Sequence, residues 1–251
     1  PVTTHNLVCR LLLEKKKNNA VYLLAASMDL SAQEQSRIAN NIANSNTTGF
    51  KEVLSSVSSN KEFKYNEKAD VPFPKLNLYN SASQGSLTKT GVPLDIALDG
   101  KGYLVLERGG KREYLRSGRL RVTQEGYLVN QNGFRLLGED SRIEIEPDKT
   151  GKIKIDSKGE LWIGNEKFGK LKVVDFENPE YLVSNRGSYH NVKNMLEHNA
   201  KDCKVLQGYL EESTVKIIDS ATDMITNKRY FEAMHKTMGI LDQGWQKLME
   251  I

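Results

Sequence analysis

Four histidines (His5, His190, His198, His235) and two cysteines (Cys9, Cys203) are the side chains from which a metal centre or a nucleophilic site would be built. A tetrahedral zinc site needs four ligands at short paired spacings, and none occurs here. His198 and Cys203 lie close in sequence but supply only two ligands. Two cysteines are too few for a disulfide scaffold and read as free thiols. Acidic residues are plentiful, yet no paired carboxylates, no Ser, His and Asp set, no phosphate loop and no HExxH stand out. Gly100-Lys101-Gly102 is too short for a nucleotide fingerprint. The expectation is a chain that is not an enzyme, with no catalytic residues, no metal and no cofactor.

The balance of charge points the same way. The 251 residues carry 36 basic and 32 acidic side chains, a formal net charge of +4 spread along the chain. No segment concentrates Lys and Arg with the stacking aromatics that nucleic-acid binding uses, so no nucleic-acid partner is expected. Lys15-Lys16-Lys17, the one basic run, reads as a solvated tract. No apolar stretch reaches the ~20 residues that span a bilayer, so the chain is not expected to cross a membrane. The apolar run over residues 7–13 is broken by Arg10, and the lysines follow it. A secretory signal places its charges before such a run, which argues against a cleaved leader.

The periodicity then divides the chain. Over residues 19–44, Val21, Leu24, Met28, Ser31, Gln35, Ile38 and Ile42 alternate at spacings of three and four, a narrow helical seam interrupted by two polar residues. Ser45-Asn46-Thr47-Thr48-Gly49 stops that helix with turn formers. Residues 51–92 are polar and irregular, and Val71-Pro72-Phe73-Pro74 cannot be helical before each proline, so an extended connector is expected. Residues 93–190 change to period two, with apolar runs such as Leu94–Leu98, Tyr103–Leu106, Ile153–Ile155 and Leu161–Ile163. Asp99-Gly100, Gly109-Gly110, Glu125-Gly126, Asn132-Gly133 and Lys158-Gly159 supply hairpin chemistry between them, which predicts an antiparallel β domain. Residues 191–212 form a return segment. From Ser213 or Thr214, either of which can cap a helix, Ile217, Ala221, Met224, Phe231, Met234, Met238, Leu241, Trp245 and Leu248 make one apolar stripe. The predicted class is α+β, and residues 1–18 stand as an extension without an assigned role.

Four stretches, in order, carry a resemblance. Ala39-Asn40-Asn41-Ile42-Ala43-Asn44-Ser45-Asn46-Thr47-Thr48-Gly49-Phe50 resembles the N-terminal motif of the bacterial flagellar rod and hook proteins. Pro93 to Tyr103 looks like the segment that opens that family's β domain, and Tyr114 to Leu120 with Gly126 to Val129 is similar to the hairpins that follow. Gln207-Gly208-Tyr209-Leu210-Glu211-Glu212-Ser213-Thr214-Val215 resembles the approach to the C-terminal helix, with Thr214 where Asn is usual. Thr222 to Asn227, followed by Arg229-Tyr230-Phe231-Glu232, looks more like the proximal-rod than the distal-rod type.

The resemblance implies a structural rod subunit in the basal body. Long N- and C-terminal helices would pack as a coiled-coil-like layer around an inserted antiparallel β domain. The partners it implies are copies of the chain and other rod subunits in a helical tube, together with the flagellar type III export apparatus. An assembly interface is expected on Val21, Leu24, Met28, Ile38, Asn40, Asn41, Ile42, Asn44, Gly49 and Phe50 at the front. Val215, Ile218, Met224, Ile225, Phe231, Met238, Leu241 and Trp245 continue it at the back. Ser31 and Gln35 would weaken a private helix pair and favour a bundle of many partners. The competing readings are a distal-rod subunit and, from another class, a secreted β-domain adhesin with helical ends.

Overall fold

The computed structural model describes residues 4–60, 73–139, 143–145, 153–185 and 187–249, with backbone alone for residues 4–19 and a few at segment ends. Val71, Pro72 and Glu250 lie outside the described residues, as do the side chains of Cys9, Lys15 to Lys17 and Leu248. The chain divides into two compact units. One comprises Pro1–Ile42, Leu54–Leu78 and Ile217–Ile251; the other comprises Ala43–Val53 and Tyr79–Lys216.

The first unit is built on two helices, α1 (Thr4–Ala43) and α2 (Ile217–Met249). The helix expected from residue 19 thus begins at Thr4, because nothing in residues 4–18 breaks it: no Pro and no Gly occur there. Along α1, Ser31 and Ile38 are buried while Gln35 is exposed. Glu34 takes the half-buried place instead, with Arg37 Nη2 donating to its Oε1 at 2.6 Å. Along α2 the covered positions are Ser220, Met224, Asn227, Phe231, Met234, Met238, Leu241 and Trp245, at strictly alternating intervals of four and three. Ile217 and Ala221, expected on that stripe, are exposed, because the stripe enters the helix at Ser220. The two helices meet at a reciprocal polar pair: Ser31 Oγ donates to Asn227 Oδ1 at 2.8 Å, and Asn227 Nδ2 donates to the Ser31 carbonyl at 2.8 Å.

The expected connector contains strand. Val53–Asn60 pairs with Phe73–Asn80 in a two-stranded sheet, and Leu87–Lys89 pairs with Tyr209–Glu211. Neither Ser213 nor Thr214 caps α2, which starts three residues later. Ser213 Oγ accepts the Val215 N–H at 3.2 Å, and Thr214 Oγ1 accepts the Glu52 N–H at 2.7 Å.

Among the described residues the strand pairings of the second unit are antiparallel. Tyr103–Arg108 and Lys111–Leu115 form a hairpin turned by Gly109 and Gly110, both at positive φ as a two-residue turn of this hand requires. The turns expected at Glu125-Gly126, Asn132-Gly133 and Lys158-Gly159 also join paired neighbours. Asp99-Gly100 does not, because Asp95–Gly100 pairs with Ser117–Arg119 and Cys203–Gln207 in a different sheet. The return segment therefore supplies strands as well. The strand at Tyr103 is buried on both faces, which is why its apolar run is continuous. Leu104 and Leu106 enter a core with Ile96, Leu98, Leu128, Leu136 and Leu161. Tyr103 and Val105 enter a second, aromatic core with Tyr114, Phe176 and Tyr189. Tyr114 meets Phe176 edge-on at 4.9 Å between centroids, the favoured geometry for two rings.

Candidate functional site

Within the β unit, parts of all four resembling stretches converge on one buried junction. The segment after α1 turns at Asn44, where Thr47 N–H bonds the Asn44 carbonyl at 3.0 Å. Gly49 follows at φ +69°, a conformation that favours glycine, and its N–H donates to the Glu211 carbonyl at 2.8 Å. A Cβ there would also meet Ser117 N at 3.3 Å. Phe50, 1% exposed, fixes the segment in the interior. Tyr189 Oη donates to the Gly49 carbonyl and accepts the Lys51 N–H, each at 2.8 Å.

The segment entering α2 lies alongside. Thr214 N–H bonds the Phe50 carbonyl at 3.1 Å, and Glu211 N–H bonds Ser117 Oγ at 2.9 Å. Between the two segments sits a buried charge cluster. Glu211 is fully enclosed, and its Oε1 accepts from Lys51 Nζ and from Gly85 N–H at 2.9 Å. Its Oε2 accepts from Arg116 Nε at 3.2 Å. Arg116 Nη1 donates to the carbonyls of Gly100 at 2.7 Å and Gly102 at 2.6 Å, and Lys51 Nζ to the Ser83 carbonyl at 2.6 Å. Burial pulls the Lys51 ammonium below its usual range, and the Glu211 carboxylate beside it opposes that shift. A buried charge is tolerable only when paired and hydrogen-bonded, and all three are. This arrangement holds chain segments together.

Lys51, Arg116, Glu211 and Tyr189 were not among the residues picked from the sequence. The signal was present: Lys51 directly follows the Asn-rich motif, Arg116 lies within the Tyr114 to Leu120 stretch, and Glu211 within the Gln207 to Val215 stretch. Of the residues that were picked, Ile38, Asn41, Phe50 and Val215 are buried in their own chain. Val21, Leu24, Met28, Ile42, Asn44, Met224, Phe231, Met238, Leu241 and Trp245 are half-buried, while Asn40, Ile218 and Ile225 are exposed. Gly49 and Phe50 belong to the junction, Asn44 and Val215 lie just outside the helices, and the rest are distributed along them.

Cys203 is a free thiol beside this region. Burial pushes it up to about 11. Iodoacetamide at pH 8 should therefore label Cys203 roughly ten- to a hundred-fold more slowly in the native chain than in urea, read by mass spectrometry of the Cys203 peptide. Equal rates would show an accessible, ordinary thiol.

Family comparisons cover both ends and the β unit. Residues 27–51 match the flagella basal body rod protein family, residues 97–163 the flagellar hook protein FlgE/F/G D1 domain, and residues 206–251 the flagellar basal body rod FlgEFG protein C-terminal family. The chain is 29% identical to the flagellar basal-body rod protein FlgF of Caulobacter vibrioides, across 88% of this chain and 92% of that one. It is 30% identical to the flagellar hook-basal body complex protein FlhP of Bacillus subtilis, across 88% and 95%. It is 28% identical to FlgF of Salmonella typhimurium, across 90% and 95%.

Proposed function

The chain belongs to the flagellar basal-body rod protein family, and from that premise we propose how it builds a tube. It is a structural subunit of the bacterial flagellar basal-body rod, of the proximal rather than the distal type, located in the rod of the basal body. In our reading, residues 19–50 and 213–251 are the assembly segments and the β domain of residues 93–190 is carried between them. α1 and α2 pack as a coiled-coil-like layer shared with copies of the chain and other rod subunits, and heterologous contacts extend that layer into a non-closing helix. The observation that supports this is the heptad-like spacing of the α2 stripe from Ser220 to Trp245. The Ser31–Asn227 pair adds to it, since a polar pair in an apolar seam sets register at a cost in stability. On the opposite face of α2, Ile218 and Ile225 are 81% and 57% exposed and remain available to a neighbour. Ile38, Asn41, Phe50 and Val215 contribute by ordering their own chain.

No catalytic step enters this reading. Among the described residues no helix is long and apolar enough to cross a membrane. Export through the flagellum's own type III apparatus completes the proposal, and it requires terminal segments that order on assembly. Isolated amphipathic helices are marginal in water, which is consistent with that requirement. Hydrogen exchange tests it: amides of residues 21–42 should exchange at near-unfolded rates in the free monomer and become protected in isolated rods. Strong protection in the monomer would sink the idea.

A further inference from the structure

Two surfaces of the β unit border the junction, share no lining residue, and differ in which charged side chains they present. The first is an open cleft of about 400 Å³ lined by Asn46, Thr48, Arg119, Asn130, Gln131 and Asn132 among others, with no Asp or Glu in its walls. Arg119 is exposed and, among the described residues, forms no ion pair or hydrogen bond through its side chain. Asp95 lies opposite Arg119 across the strands without reaching ion-pair distance. Asn130 is only 6% exposed. Its Oδ1 accepts the N–H groups of Asn132 at 3.0 Å and Phe134 at 2.9 Å, which fixes the carboxamide. Among the described residues Nδ2 meets no acceptor and stays open to a ligand in the cleft. A free guanidinium beside oriented amide donors is the chemistry that recognises a carboxylate.

The second surface is the wall of a larger cleft of about 580 Å³ and includes Asp175, Glu177 and Glu180. Glu177 precedes the short turn Pro179–Tyr181 and Glu180 lies within it, beside Tyr181, which is 44% exposed. Among the described residues none of these three carboxylates forms an ion pair within 4 Å. Lys51 and Arg116 reach the same cleft but both pair with Glu211, while the three carboxylates are grouped within residues 175–180; Lys101 also lines the cleft.

We propose that the acidic turn at Glu177 to Glu180 of one copy enters the Arg119–Asn130 cleft of the next copy. One carboxylate pairs with Arg119 and accepts from Asn130 Nδ2. No aromatic face lines the cleft, so a sugar ring has nothing to stack on, and the complementary acidic surface is on the chain itself. Two different patches in contact make a heterologous interface, which propagates without closing. The inference rests on the rod reading and goes beyond it, because it gives the β unit a contact of its own between copies.

Charge reversal on the full-length chain tests it. Arg119→Glu alone, and Glu177→Lys with Glu180→Lys, should each weaken self-association about tenfold or more in sedimentation at low salt. Combining all three reversals should restore it to within about threefold, as a direct pair requires. Unchanged near-ultraviolet dichroism establishes that each variant is folded. Single reversals without effect, or a combination no better than its parts, would overturn the pairing. A cleft whose reversal abolishes binding to a soluble amino-sugar oligomer while leaving self-association intact would also overturn it. If the pairing fails while the chain is still found in purified basal bodies, the rod reading stands; absence from basal bodies would remove the rod reading itself.

Discussion

Glu211→Gln should destabilise the β unit by about 3–5 kcal/mol, because it leaves Lys51 and Arg116 as uncompensated cations in the interior. The substitution keeps the shape but removes the charge and turns one accepting oxygen into a donor. For a unit of this size, that loss corresponds to a fall in melting temperature of roughly 10 °C. Removing all three charges together, as Lys51→Met, Arg116→Leu and Glu211→Leu, should cost clearly less than Glu211→Gln, since the penalty comes from stranded charge and not from a lost attraction. Thermal unfolding followed by near-ultraviolet dichroism measures both. A loss under about 1 kcal/mol for Glu211→Gln would show that water reaches the cluster and screens it.

Phe231→Asp should act in the opposite way. Phe231 is half-buried at the centre of the α2 stripe, between Asn227 and Met234, and lies in the helical unit. A carboxylate there cannot be covered by an apolar partner without a desolvation cost of several kcal/mol. The expected result is loss of swimming and of complete rods in purified basal bodies. The melting of the isolated chain's β unit should stay within about 2 °C of the parent, because distant sites add independently. Normal rods carrying Phe231→Asp would show that the stripe is not an assembly surface. Together the two substitutions separate folding of the β unit from use of the helices.

Much of this organisation is visible in the sequence because it is local. Hairpin glycines such as Gly109-Gly110 and Asn132-Gly133 act through positive φ and need no distant partner. The α2 stripe is visible from Met224 onward because one helical period generates it. Its first turn differs, since Ile217 and Ala221 are exposed while Ser220 is covered. Hydrophobicity marks the side that could be buried, and only the packing partner decides which side is. The same reasoning explains residues 4–18 and the strand Val53–Asn60. The lysine run and the Ser-rich run look like solvated chain, but a helix continues without a breaker, and pairing with Phe73–Asn80 supplies the strand with hydrogen bonds.

Residue types and spacing carry no catalytic or metal-binding pattern that stands out, and the informative segments are the motifs. Those motifs identified the family one segment at a time: the Asn-rich turn, the hairpin at Arg116 and the approach to α2. What the sequence by itself determined is the helical seam from residue 19, the α2 stripe from Met224 and the hairpin turns of the β domain, since φ preference and period are properties of neighbours along the chain. What only the tertiary structure decided is that Lys51, Arg116 and Glu211 meet in one dry cluster. Lys51 and Glu211 are 160 positions apart, and electrostatic attraction leaves no spacing or period in sequence.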